Sequence, residues 1–400
     1  MITVIGLGSQ PLGEPALKAL AEAALVVGGA RHLEAVAALL APQHRTVAVG
    51  GDLEPVLGAL ASEPGPAVAL ASGDPGFFGI VRTLAQRFGP SALRVIPGVS
   101  SVASAFARAG LSWDDAVVAS AHGRDPAPAV NLCRRYPKVA VLTSPAFGPA
   151  ALAAALGALE RTLVVVEEIG TSRERVTTSS VAEIARQAFR DPNVVLCLRE
   201  AAGQRSTQWP PRPTPIRWAL PEEEFVHRDR MITKAEVRAL ALAWLGPGPG
   251  DLLWDVGAGS GAVAVEAARL GAAVIAIDAD PAQCDRARAN AARHGVPVEV
   301  VEGQAPAMLA ELPDPDVVFV GGGGADVRAI VQAAAARAGR AVVVALATVE
   351  RVGLARGALA AAGLDVEGVQ LSVARLAPLG SGTRLAAENP VFLICGRRSS

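Results

Sequence analysis

Short apolar runs alternate with alanine-rich amphipathic segments along nearly the whole chain. In the first half, ITVIG, TVAVG, AVALAS, LRVIPG, KVAVLTS, TLVVVEE and NVVLCLR have the length and unbroken hydrophobicity of buried strands. Between them PALKALAEA, VRTLAQRFG, SSVASAFARAG and VAEIARQAF carry apolar residues at helical spacing. Strands that are apolar on both faces and separated by helices predict parallel sheets covered on both sides. The rhythm breaks over Glu200–Phe225, a proline-rich polar stretch with no period, which reads as a connection between domains. Alternation resumes from KAEVRALALAWL and LLWDVG through AVVVALAT and LARGALAAAG. Two strand-like runs, VEGVQLSVARL and NPVFLICGRR, then close the chain with no helix between them, which predicts an antiparallel pair. The pattern as a whole predicts an α/β protein. Its expected divisions are a domain over 1–200 with an internal break near 112, a linker over 201–221 and a second domain over 222–400.

Composition narrows the function classes. With 400 residues, 51% hydrophobic and 19% charged, the chain is long enough for two or three well-buried domains. A net charge of -1 supplies no basic excess for nucleic acid, and no polybasic tract marks a membrane surface. Cys133, Cys197, Cys284 and Cys395 are scattered, as are the five histidines, so no metal-ligand spacing is present. The cysteines sit in apolar runs and read as small core residues. With a strand beginning at Ile2 and no apolar run of membrane-spanning length, a cytoplasmic protein is expected.

The chemistry is carried by glycine turns. In LLWDVGAGSGAVAVE a strand breaks into Gly257, Gly259 and Gly261, then into a helix. A dinucleotide fingerprint spaces its third glycine one residue further on, because its helix start receives a pyrophosphate. S-adenosylmethionine has no phosphate, and Asp255 before the turn is placed to meet its ammonium group. Asp278, at the end of AVIAID, stands where a carboxylate accepts from ribose hydroxyls, a need that NAD shares. The spacing favours S-adenosylmethionine over NAD and leaves an NAD-dependent oxidoreductase as the alternative from a different class.

The stretch from Pro221 through GAVAVEAARL, with the later VEGQAPAMLAELPDPDVVFVGGGG, resembles the precorrin-6 methylase family that acts on the carbon 15 bridge of a corrin precursor. The resemblance implies a seven-stranded Rossmann-like class I methyltransferase domain. In it Gly257, Gly259, Gly261 and Asp278 hold the donor, Gln304 and Ala305 flank its adenine, and Thr233 lies near its amino-acid end. The family usually carries an acid where this chain has Gln304.

In the first half, ITVIGLG, SGDPGFFG, PGVSS and SAHGR together resemble the tetrapyrrole methylase family, in the form that methylates carbon 5. That resemblance implies a two-lobed domain binding S-adenosylmethionine in its own way. Gly6 and Gly8 would form its first turn and Gly73, Asp74 and Pro75 its second, with Ser100 and Ser101 against the donor. Ser100 also reads as a plain helix cap. Candidate contacts to the macrocycle's carboxylates are His122 and Arg124 here, and His227, Arg228, Arg375 and Arg384 in the second half. Both resemblances together imply a bifunctional S-adenosylmethionine-dependent methyltransferase of cobalamin biosynthesis with two donor sites. It would methylate carbons 5 and 15 of precorrin-6B and remove carbon dioxide from the ring C acetate to give precorrin-8X. A cobalt-loaded substrate remains the alternative within the same chemistry, and a homo-oligomer is expected from the first family.

Overall fold

The computed structural model describes residues 1–8, 10–50, 52–199, 217–228 and 232–399. The chain divides into two compact units, Met1–Pro126 with Pro137–Arg205, and Ser206–Ser400 with Ala127–Tyr136. Most of the expected linker, up to residue 216, lies outside the described residues.

The first unit contains two five-stranded sheets. Strands β1 (Ile2–Leu7), β2 (Leu25–Gly29), β3 (Arg45–Val49), β4 (Ala67–Ser72) and β5 (Leu93–Ile96) form the first, in the order β3-β2-β4-β1-β5. All its pairs are parallel, as unbroken apolar runs require. Ile2, Val4 and Val27 bury into one face and Ile5, Val26 and Val68 into the other.

Strands β6 (Val117–Ser120), β7 (Lys138–Leu142), β8 (Thr162–Glu167), β9 (Arg175–Ser180) and β10 (Asn193–Leu198) form the second sheet, in the order β6-β7-β10-β8-β9. This sheet is mixed, which corrects the expectation of parallel sheets throughout the first half. Only β6 and β7 pair in parallel, while β10 runs antiparallel to both its neighbours and β8 to β9. The sequence hid β9 because RVTTSS is an exposed edge strand with no apolar run. The helix expected over VAEIARQAF is correspondingly short, Val181–Ile184. The helix Ser101–Ala109 packs Val102, Ala105 and Phe106 against Ala140, Val164 and Leu196 of this second sheet. The chain therefore passes between sheets at Pro97–Ser100, earlier than residue 112.

The second unit is built on a seven-stranded sheet in the order β13-β12-β11-β14-β15-β19-β16. Its strands are β11 (Leu252–Val256), β12 (Ala273–Asp278), β13 (Glu299–Glu302), β14 (Val317–Gly321), β15 (Ala341–Leu346), β16 (Asp365–Leu371) and β19 (Val391–Arg397), and β19 alone is antiparallel. Leu252, Trp254 and Val256 face one buried layer, and Leu253 faces the other. The expected antiparallel pair exists as β16 and β19, but VEGVQLSVARL is not one strand. It leaves the sheet after Leu371 and begins a separate ribbon, β17 (Ala374–Leu379) and β18 (Gly382–Ala387). One face of that ribbon carries Ala374, Leu376 and Pro378 opposite Ala387, Leu385 and Thr383. Leu376 is 79% and Leu385 69% exposed on it.

Candidate functional site

In the second unit the turn after β11 places Gly257, Gly259 and Gly261 at φ +72°, +54° and +70°, a region in which side chains are strained. Gly261 has a second reason to lack a side chain, since a Cβ there would lie 2.9 Å from that of Ala287. Gly257 and Ala258 donate to the Ile277 carbonyl at 2.8 and 3.1 Å, drawing the turn onto the end of β12. Asp278 completes this closure. Its Oδ2 accepts from Gly259 N at 2.8 Å and its Oδ1 from Asp280 N at 3.0 Å. A carboxylate has about four acceptor positions, so two remain for a ligand.

Beside this turn lies a cleft of about 200 Å³ lined by Val256, Gly257, Ile277, Asp278, Gln304, Ala305, Asp326 and Ile330, among others. The cleft thus brings together Gly257, Asp278, Gln304 and Ala305 from the sequence candidates. Its charged lining is Asp278 and Asp326, and among the described residues no lysine or arginine lines it. A pyrophosphate would meet like charge there, whereas a nucleoside bearing a cation would find a carboxylate, diol acceptors and apolar walls. The residues therefore fit S-adenosylmethionine.

Asp255 is placed otherwise than the sequence suggests. It is buried beneath the turn, where its Oδ2 accepts from Ala264 N in the first turn of the helix Ala262–Arg269 at 2.9 Å. It is not part of the cleft lining. Burial, with a smaller contribution from Asp278, pushes its carboxyl up to about 7 against the opposing Ala264 hydrogen bond. The unfolded chain ionises this group near 3.9, so the folded form holds a proton that the unfolded form has lost. Stability of the second unit should accordingly fall as pH rises from about 4 to about 7 and level off above. Asp255→Asn should flatten that part of the profile, read as urea midpoints at several pH values. A variant profile parallel to the parent's would acquit Asp255.

A buried polar knot holds the segment before this domain's first helix against the glycine turn. Glu266 accepts from Ala219 N and Leu220 N, each at 2.9 Å, and from Arg238 Nε at 3.0 Å. Arg238 also donates to the Leu220 and Thr233 carbonyls, with its guanidinium 5.0 Å from the Phe225 ring centre. Asn290 uses its whole amide. Its Oδ1 accepts from Val226 N at 2.7 Å, and its Nδ2 donates to Val226 O at 2.9 Å and to Ser260 O at 2.8 Å. Ser260 belongs to the glycine turn, so one side chain ties that turn to the residue before His227 and Arg228. His227 keeps a buried Nδ1 without a hydrogen-bond partner. Thr233 is held through its carbonyl and is not in the cleft lining.

Arg375 departs from its expected role. Its guanidinium bonds Glu236 and Glu388, which raise its pKa, and lies 3.7 Å from Glu222, so three carboxylates already claim it. Arg384 lies exposed on β18.

In the first unit the predicted residues gather at the carboxyl ends of β1, β4 and β5. Gly6 touches its neighbours so closely that a Cβ would lie 2.0 Å from Gly73 O and 2.4 Å from Gly98 N. Gly73 N donates to Leu7 O at 2.6 Å, and Gly98 N to Gly73 O at 3.1 Å. Gly8 lies exposed above them, Pro75 is buried, and Ser101 opens the next helix. Two of the polar candidates do local work: Asp74 Oδ1 accepts from Gly76 N at 2.8 Å, and Ser100 Oγ caps its helix from Ala103 N at 3.1 Å. His122 is exposed, with a ring nitrogen 3.2 Å from Thr143 O, and Arg124 stacks 5.6 Å from the Phe78 ring centre. The SAHGR and SGDPGFF loops therefore meet.

The sequence reading passed over Arg238, Glu266 and Asn290. A signal was available, because each is a polar residue on the buried, mostly apolar side of its helix. Among the described residues no cluster could hold a metal ion.

Comparison with known proteins divides at the same place as the fold. The family described as tetrapyrrole (corrin/porphyrin) methylases matches residues 1–185, and the family described as precorrin methyltransferase domain matches residues 223–397. A Sinorhizobium sp. protein named precorrin-6Y C(5,15)-methyltransferase (decarboxylating) is 37% identical across 98% of this chain and 94% of its own. A Pyrobaculum calidifontis protein, named "Probable cobalt-precorrin-6B C(15)-methyltransferase (decarboxylating)", is 42% identical across 44% of this chain and 93% of its own. A Salmonella typhimurium protein named cobalt-precorrin-7 C(5)-methyltransferase is 32% identical across 50% of this chain and 100% of its own.

Proposed function

The chain belongs to the precorrin-6Y C(5,15)-methyltransferase (decarboxylating) family, and on that premise we propose that each unit binds S-adenosylmethionine and carries one of two methylations. The first unit, a two-lobed tetrapyrrole methylase, acts at carbon 5. The second, a class I methyltransferase domain, acts at carbon 15 and removes the ring C acetate carboxyl, so that precorrin-6B becomes precorrin-8X. One observation carries this assignment: each half of the chain separately matches a relative named for one of the two methylations. The acidic lining of the cleft, Asp278 and Asp326, supports a donor that carries a positive charge. The relative spanning both units is named for a precorrin, whereas the cobalt-precorrin relatives each span one unit, which favours a metal-free substrate.

S-adenosylmethionine supplies an electrophilic methyl group when bound. The protein's part is placement. Asp278 accepts from the ribose hydroxyls, Gln304 and Ala305 flank the adenine, Thr233 lies toward the amino-acid end, and the glycine turn leaves room for the donor. In the first unit Gly6, Gly8, Gly73, Asp74, Pro75, Ser100 and Ser101 wall the second donor site. His122, Arg124, His227, Arg228 and Arg384 receive carboxylates of the macrocycle, whose alignment with the donor governs the rate. The conjugated substrate itself takes up the electron pair left by decarboxylation.

The test is conversion of precorrin-6B by the intact chain with methyl-labelled donor. Two labelled methyl groups and one released carbon dioxide per substrate are expected. One methyl group, or none, would remove one or both assignments.

The protein is read as a cytoplasmic homo-oligomer. Among the described residues no helix is long and apolar enough to cross a membrane. The uncovered apolar face of the β17–β18 ribbon supports self-association, since an isolated two-stranded ribbon is marginal in water. Light scattering should return a multiple of the chain mass, and the mass of one chain at micromolar concentration would contradict it.

A further inference from the structure

Three side chains outside the residues assigned so far meet at the carboxyl ends of β2 and β4. Ser72 ends β4 directly before Gly73 and lies in register beside Leu7 of β1. Arg31 Nη2 donates to Ser72 Oγ at 2.7 Å, and His32 Nε2 stands 2.8 Å from the same oxygen. The ring packs close to the end of β2, where a Cβ on Gly29 would come 3.3 Å from His32 Nδ1.

Hydrogen placement follows from burial. His32 Nδ1 is buried with no hydrogen-bond partner. A stranded N–H is the rarer and costlier defect, so the ring proton belongs on Nε2, which donates to Ser72 Oγ. Burial, and then the neighbouring charge of Arg31, lower the His32 pKa, which keeps the ring neutral. Ser72 Oγ then accepts from both Arg31 and His32, and a hydroxyl has only two acceptor positions. Its own hydrogen is left to point outward, and two donors feeding the oxygen strengthen it as a donor. Arg31 and Ser72 are both exposed. The cluster therefore offers one positive charge and outward-facing donors, its one unpaired acceptor, His32 Nδ1, being buried: a receptor for an anion. The ligand available at this edge, next to the Gly6 and Gly73 turns, is a macrocycle rimmed with carboxylates.

We propose that Arg31, His32 and Ser72 form a carboxylate-binding site that holds one peripheral carboxylate of the tetrapyrrole while carbon 5 is methylated. Arg31 and the Ser72 hydroxyl contact the carboxylate, and His32 is a positioning residue that orients the hydroxyl. The inference rests on the reading of the first unit as the carbon 5 methylase.

The bifunctional chain contains its own control. Full-length Arg31→Gln and Ser72→Ala are assayed on precorrin-6B with ¹³C-methyl donor, and NMR reads each methylated carbon separately. Losing a charge-assisted bond should slow carbon 5 methylation by Arg31→Gln about ten- to a hundredfold at subsaturating substrate, with less loss at saturation. Ser72→Ala should move the same way to a smaller degree. Arg31→Lys should recover part of the rate, because charge is kept while the planar fork is lost. Carbon 15 methylation and carbon dioxide release should match the parent. S-adenosylhomocysteine binding by Arg31→Gln in the Asp278→Ala background, which leaves the first unit's donor site to be read, should be unchanged. Parental carbon 5 kinetics in Arg31→Gln would overturn the proposal, as would a parallel loss of S-adenosylhomocysteine binding, which would place the cluster in the donor site or the fold. A parent enzyme that never methylates carbon 5 would instead overturn the functional reading beneath it.

Discussion

Arg238→Met should destabilise the second unit by about 3–5 kcal/mol, the usual cost of stranding one member of a buried ion pair. Arg238 and Glu266 are both fully buried, and the arginine bridges the two ends of the 220–233 segment through backbone carbonyls. Methionine fills much of the space and supplies none of the three hydrogen bonds. Glu266 would then keep its bonds to Ala219 N and Leu220 N while losing the buried counter-charge of Arg238. Urea unfolding followed by tryptophan fluorescence reads the loss, since Trp218, Trp244 and Trp254 belong to the second unit. Two units preclude a single two-state fit, so the transitions are resolved separately. The companion Arg238→Met/Glu266→Gln should recover a large part of the loss by removing the stranded charge. A single variant within about 1 kcal/mol of the parent would mean that the pair is held in place without contributing to stability.

Asp278→Ala should reduce S-adenosylhomocysteine binding from two molecules per chain to one. The substitution removes the acceptor for Gly259 N and Asp280 N, so the turn loses one of its ties to β12 as the ligand loses its diol acceptor. Two charge-assisted hydrogen bonds at about 1.5–3 kcal/mol each correspond to a loss at that site on the order of a hundredfold or more. Titration calorimetry on the intact chain reads both the number of sites and their affinities. Asp278→Asn should fall between, because its carbonyl can still accept from Gly259 N. Two sites persisting in the alanine variant would move the second donor away from this cleft. One site in the parent would end the two-site reading, leaving one unit without a donor.

These two results probe features of unequal legibility. Asp278 and the glycines were visible in the sequence because a strand–turn–helix is a local event. Gly257, Gly259 and Gly261 stand within five residues of one another, and a positive φ selects glycine at each. The Gly73-Asp74-Pro75 turn was visible for the same reason. Asp255 shows the limit of such reasoning. Its place in the motif suggested a ligand contact, but strand alternation turns it to the layer shared with Leu253, under the helix that the turn begins. Arg375 was a candidate for a substrate carboxylate in the sequence, and three carboxylates from separate segments close around it in the fold.

Arg238 with Glu266, and Arg31 with His32 and Ser72, were invisible for a stronger reason. Their partners lie 28 residues apart in the first case and about 40 in the second. No local period announces such a meeting. The edge strand β9 and the ribbon β17–β18 were lost in the opposite way, because exposed strands need no apolar run.

The sequence by itself determined the α/β class, the two sets of glycine turns, the position of Asp278 at a strand end and the kinship of each half, because strand burial and backbone conformation select residue types over short spans. The tertiary structure alone decided which polar groups are buried and paired. That placed Asp255 beneath the turn, committed Arg375 to the fold, and left Arg31 and Ser72 facing outward. Burial and pairing depend on what distant segments bring to the same few ångströms, and only the packed chain specifies that.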